Sequence, residues 1–200
     1  MGDDMIRNFG VVIAICGALF VFGGETFAIW TFSAEMKTDF EDSEIELKFG
    51  ASEIDVESKY DGDSESETVE YDDNDCDCDE IKDFFSNLKM MFYALIVCGI
   101  GLAYIGNSGE NMESIPTVAG VTALLSVAIL AYTFMTLPEA FEEDTGMFES
   151  FDEDPTFFVN AERDDDAGDL HLKAMPHVGY FLPVVSLTLA GLLVRPELLD

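Results

Sequence analysis

Basic side chains are scarce in this chain. Nine lysines and arginines stand against 41 aspartates and glutamates, a formal net charge of −32. So acidic a surface repels phosphate backbones, which excludes nucleic acid as a partner. Motifs of common enzyme chemistry are missing too. The sequence has no phosphate loop, dinucleotide fingerprint, zincin helix or esterase elbow. His171 and His177 pair with no serine or cysteine in a nucleophile pattern.

Charge is also missing from four long runs. Residues 9–32, 90–106, 115–137 and 177–194 are apolar, and within them only Glu25 is plainly ionisable, with His177 at a boundary. A soluble helical bundle would show charge every few residues on its outer face. Crossing the hydrocarbon core takes about 20 apolar residues. The expected fold is therefore a membrane all-α core, a four-transmembrane-helix bundle, with helices at 9–33, 88–106, 115–137 and 176–194.

The acid lies between these helices. The segment 35–89 holds 21 acids and 5 lysines, and the segment 139–178 holds 13 acids beside Arg163 and Lys173. The termini, 1–8 and 195–200, and the short polar loop 107–114 hold only six acids together. With four spans, both long loops (34–87 and 138–175) fall on one side of the membrane. Long loops translocate largely regardless of their charge, and a potential negative inside favours acid outside. The expected location is the plasma membrane, multi-pass, with both termini cytoplasmic and the acidic loops extracytoplasmic. The first run is too long for a signal-peptide core, and its flank carries two acids and one base, so it reads as a retained helix. Abundant acid with few lysines also suits a protein kept hydrated in concentrated salt, as in a halophilic or marine archaeon.

The long loops carry strand signals. Glu-Ile-Glu-Leu-Lys-Phe at 44–49 alternates, as do 52–60 and 67–71, with turns at Gly50-Ala51 and Asp61-Gly62. These read as a three-stranded meander with one apolar face. The second loop adds candidate strands at 156–160 and 170–173. Together they predict a small antiparallel β-sheet cap resting on the outer helix ends. In outline this layout resembles that of the claudin-like tetraspans, with Trp30 closing the first helix, followed by Ser33 and Ala34. The resemblance implies four helices, a large stranded first loop and a second loop that adds to the sheet. The family's Gly-Leu-Trp motif with two spaced cysteines is absent, so no barrier or channel function follows from the likeness.

Three groups of residues carry candidate chemistry. Glu25, preceded by Gly23 and Gly24, falls in the outer half of the expected first helix. Tyr132 and Thr133 of the third helix lie at similar depth as hydrogen-bond partners. A carboxyl there is costly when ionised, and serves either as an ion or proton site or as a hydrogen-bonded group near the interface. Cys76 and Cys78 flank Asp77 and are candidates for a disulfide. Four-helix membrane thiol oxidases carry paired cysteines in outer loops, but the spacing here is one residue and the surrounding acids oppose thiolate formation. Asp73, Asp75, Asp77 and Asp79, and separately Asp164, Asp165 and Asp166, could gather Ca²⁺ or Na⁺ weakly. They lack the pattern of an EF-hand loop. Cys16 and Cys98 read as packing residues. Small residues at four-residue spacing, Gly10/Ala14/Ala18, Gly99/Ala103 and Ala119/Ala123, suit close packing of helices within one bundle.

The expectation is a non-catalytic structural or accessory membrane protein whose cap meets cations, the envelope, a protein partner or a second copy. An ion channel or transport component using Glu25 is the alternative, and a thiol–disulfide oxidoreductase using Cys76 and Cys78 the third.

Overall fold

In the computed structural model the described residues are 3–37, 42–60, 62–71, 78–150, 154–165 and 168–194. For Glu25, Glu149, Ser150, Arg163, Asp164 and Asp165 only the backbone is described. Helix α1, Asp3–Phe22, opens with Asp3 and Asp4 in its first turn, where carboxylates suit the positive end of the helix dipole. It stops where Gly23 and Gly24 follow, Gly24 taking φ +56°. A 3₁₀ turn, Gly24–Phe27, leads into strand β1, Trp30–Lys37. The expected first helix over 9–33 is thus shorter and begins earlier. Past the glycines, Trp30, Phe32, Ala34 and Met36 alternate with Thr31, Ser33, Glu35 and Lys37, a strand period.

Strands β2 (Asp42–Phe49), β3 (Glu53–Tyr60) and β4 (Asp63–Glu70) follow as a meander. The β3–β4 turn uses Gly62 at φ +90°, which only glycine adopts without strain. Strands β5 (Val159–Asp165) and β6 (Gly168–Pro176) come from the second loop. All pair antiparallel in the order β4-β3-β2-β1-β6-β5. The two loops therefore make one six-stranded sheet, joined where β1 pairs β6 in the register Trp30↔Pro176 to Lys37↔Asp169. The ladder continues toward the helices, with the His177 amide donating to Ile29 O and the Gly179 amide to Ala28 O.

Helix α2, Asp79–Ser108, and helix α3, Ile115–Thr145, are about 45 Å long at 1.5 Å per residue. Both exceed a hydrocarbon core of about 30 Å, so part of each lies beyond any bilayer they cross. The helix expected over 115–137 instead runs on through Pro138 to Thr145, with Leu137, Pro138, Ala140 and Phe141 buried. Packing under the sheet holds those last turns together despite the missing amide. A single turn α4, Met147–Ser150, and the closing helix α5, Leu182–Val194, complete the set. The order of packing is α1 on α2, α2 on α3, α3 on α5 and α5 back on α1. Three helices are long and apolar enough to cross a membrane, and the stretch Val178–Val194 is apolar but shorter.

The bundle closes on its small residues. A side chain at Gly10 would meet Ala103 N and, at 2.6 Å, Gly99 O. One at Gly99 would meet Ala14 N at 2.5 Å. The α1–α2 backbones touch through these glycines, so this small-residue series serves packing inside one chain.

Candidate functional site: the acidic cap and its seat

The sheet has two faces of opposite character. On the inner face Trp30, Phe32, Phe49, Leu172 and Ala174 are buried. Trp30 lies 5.3 Å from Phe141 and 5.5 Å from Phe49, ring to ring, and Phe32 lies 4.6 Å from Phe141. The Trp30 indole N–H donates to Phe157 O at 2.9 Å. Phe141 belongs to the outer turns of α3, so the sheet is seated on a helix end through a sealed aromatic layer. Aromatic rings supply large buried area with edge-to-face geometry, which suits such a seat. On the α2 side Tyr71 stacks on Phe85 at 5.1 Å and donates to Gly50 O at 3.0 Å. Burial drives the Tyr71 phenol well above its ordinary pKa, helped by the charges of Glu53 and Asp55.

The outer face is a ladder of charge. Lys59 Nζ lies 3.2 Å from Glu44 and 3.6 Å from Glu57. Lys48 Nζ lies 3.7 Å from Glu57 and 3.8 Å from Glu46. Two lysines thus bridge three glutamates across strands β2 and β3. Lys37 pairs with Glu35 at 2.7 Å, and their hydrogen bond raises the lysine's pKa and lowers the glutamate's. The hydrogen bond that Lys59 donates to Glu44 likewise raises the Lys59 pKa. His171 Nδ1 stands 3.4 Å from Glu162 on the neighbouring strand. These are solvent-facing pairs, and water screening leaves each with little effect on stability. Their weight lies in holding carboxylates together that would otherwise repel. A cleft of about 600 Å³ opens beside this ladder, lined by Lys48, Asp55, Glu57 and Thr68 and by Gly24 at the end of α1. Thr68 donates to Asp55 at 2.7 Å, while the second oxygen of Asp55 is buried without a partner.

Those singled-out residues that are described are spread over separate elements. The Glu25 backbone lies in the turn Gly24–Phe27, three residues past the end of α1 and not within a helix of 25 residues. Tyr132 accepts from Asn87 Nδ2 at 3.4 Å and stacks on Phe84 at 5.1 Å. Thr133 is fully buried, and its hydroxyl has no hydrogen-bond partner. Cys78 is disulfide-bonded, and Cys16 and Cys98 are free thiols. Cys76, Asp73, Asp75, Asp77 and Asp166 lie outside the described residues, and Asp164 and Asp165 are described only as backbone of β5. Asp79 is exposed in the first turn of α2. Among the described residues no group of three or more His, Cys, Asp or Glu is gathered as a metal site would require.

Asp144 was not singled out. Its carboxylate, in the last turns of α3, accepts from the amides of Glu80 at 3.2 Å and Ile81 at 2.8 Å. It caps the N-terminus of α2 from a different helix, a job usually done by the residue just before the helix. No local pattern announces a cap supplied 64 residues away.

No protein-family model matches the chain, and no curated protein matches it in sequence.

Proposed function

We propose that this protein is a non-catalytic, four-span membrane protein that presents its acidic β-cap outside the cell to cations, the envelope or a partner protein. The observation that carries this reading is the division of the sheet: an inner face sealed by rings onto α3, and an outer face given over to charge. The fourth span is Val178–Val194, about 25 Å of helix at the short end of what crosses a bilayer. Exposed aromatic side chains support the membrane setting. Phe22, Tyr93, Phe134, Phe158 and Phe181 all have exposed rings, apolar surface that lipid would cover. Both termini are then cytoplasmic.

The other two readings have less behind them. The ion-path reading drew on a carboxyl inside a helix, and the helix stops before Glu25. The thiol reading requires a cysteine pair that cycles between dithiol and disulfide, and the acids flanking Cys78 in sequence oppose thiolate formation.

The test is purification from native membranes in detergent at high salt, with subunit stoichiometry measured by mass. A partner protein should co-purify with the native chain and be lost when Glu44, Glu46 and Glu57 are changed to lysine. A partner-free monomer whose cap takes up neither Ca²⁺ nor Na⁺ by calorimetry would sink the reading.

A further inference from the structure

Strand β4 ends the sheet, and among the described residues no strand lies beyond it. Every residue of β4 except Val69 is exposed. The Tyr71 amide donates to Ser52 O at 3.1 Å, one step past the pair Glu53↔Glu70. Hydrogen-bonded and open pairs alternate along an antiparallel ladder. Asp63, Glu65, Glu67 and Val69 therefore bond to β3, and the amides and carbonyls of Ser64, Ser66, Thr68 and Glu70 point away from the sheet. Exposed edges are usually blunted by lysine, proline or a bulge. β4 has no lysine and no proline, and its register on β3 runs unbroken from Glu53↔Glu70 to Tyr60↔Asp63.

β4 also stands apart in charge. Each other strand carries a base: Lys37, Lys48, Lys59, Arg163 and Lys173. β4 carries Asp63, Glu65, Glu67 and Glu70 and no base. Inside the sheet Glu44 faces Lys59, and where Glu46 faces Glu57 the Lys48 ammonium reaches both. Lys59, the base on the adjoining strand, is already shared by Glu44 and Glu57. A strand laid on β4 completes the pattern if it brings bases opposite Glu65 and Glu67. A second copy does not do so. β4 against β4 sets carboxylate against carboxylate, and β5 offers Arg163 among Glu162, Asp164 and Asp165. We infer that β4 pairs with an extended segment of a different protein, one that carries lysine or arginine at alternate positions and adds a further strand to the sheet. The inference rests on the reading of the cap as a surface presented to a partner. It adds which edge is used, how the partner is held and what chemistry the partner has.

The test mixes the full chain, in detergent at fixed ionic strength, with a short capped peptide of alternating lysine and valine. Binding should slow amide exchange at Ser64, Ser66 and Thr68. Glu65 and Glu67, whose amides already bond to β3, should change little. Ser66→Pro removes one outward donor and should weaken the peptide by about fivefold or more. Proline is tolerated on an edge strand where the lost amide faces solvent. Glu65→Gln with Glu67→Gln should weaken it by about fivefold as well. Both glutamates are exposed, so this variant keeps the test decisive if the proline variant misfolds. A peptide with proline in place of valine keeps the charge but cannot make the ladder, and should bind about fivefold more weakly or worse. Equal binding of the valine and proline peptides overturns the inference, since the cap would then attract bases without pairing with them. Native affinity in a folded Ser66→Pro or in the glutamine variant also overturns it, as does exchange that does not slow at Ser64, Ser66 and Thr68. These outcomes do not depend on the side of the membrane the cap occupies. A native chain purified without partner or cation while the peptide still pairs with β4 counts against the reading of the cap and not against the edge.

Discussion

Tyr71 shows how a single side chain ties cap to helix. Its ring lies on Phe85 of α2, and its hydroxyl donates to Gly50 O in the β2–β3 turn. Because burial raises its pKa, the neutral phenol is favoured in the folded state. The stabilisation is then present below the unfolded phenol value of about 10 and is lost as pH rises beyond it. Thermal unfolding of the native protein and of Tyr71→Phe, followed from pH 7 to 11, should differ in slope. The variant should be about 1 kcal/mol less stable near neutrality, having lost one buried hydrogen bond. The gap should narrow in alkali. Equal slopes would remove Tyr71 from the junction. Trp30 shows what the sequence concealed at this scale. The sequence places it in the closing turn of a helix over 9–33, and it opens strand β1 at the centre of the aromatic layer. The partners Phe141 and Phe157 that define its role are more than 100 residues away in the chain.

At the scale of elements, β2, β3 and β4 are legible because alternation and turn glycines are local signals; the expected strand 170–173 lies inside β6, whereas the one over 156–160 meets β5 only at 159–160. β1 was missed, although Trp30–Lys37 alternates as clearly as its neighbours. An apolar run just upstream biased the reading toward helix, and Gly23-Gly24 was the signal that should have ended it. The lengths of α2 and α3 were underestimated because their outer turns carry charge, and only the sheet above explains why they stay helical. Asp144 joins these two extensions, since it caps α2 from α3. Asp144→Ala should lower stability by about 1 kcal/mol, with Asp144→Asn retaining most of it. Amide exchange at Glu80 and Ile81 should quicken in the alanine variant. Unchanged exchange would show the cap to be dispensable. Within the bundle, Gly10→Leu would drive a side chain into the α2 backbone, costing about 1–3 kcal/mol or more. Gly120→Ala adds a Cβ in open space within α3 and should not lower the melting temperature. Comparable melting of both variants would contradict the α1–α2 contact.

At the scale of the whole molecule, the pooled apolar runs and the intervening acid pointed to spans and a cap, and the structure has helices and a sheet of that kind. The candidate site was less legible. Glu25, Cys76 and the aspartate runs were chosen for their chemistry in isolation, whereas the lysine–glutamate ladder arises only from strand register, with Glu44 opposite Lys59 and Glu46 opposite Glu57. The central claim is that the cap and the 107–114 loop lie on opposite sides of a membrane. Cysteine accessibility in intact cells tests it most directly, with Ser66→Cys in β4 and Glu110→Cys in the short loop probed by a membrane-impermeant maleimide. Native-protein labelling serves as the background. The account predicts labelling of Ser66→Cys from outside and of Glu110→Cys only after the cells are permeabilised. Labelling of both from the same side, or recovery of the protein in the soluble fraction, would contradict it.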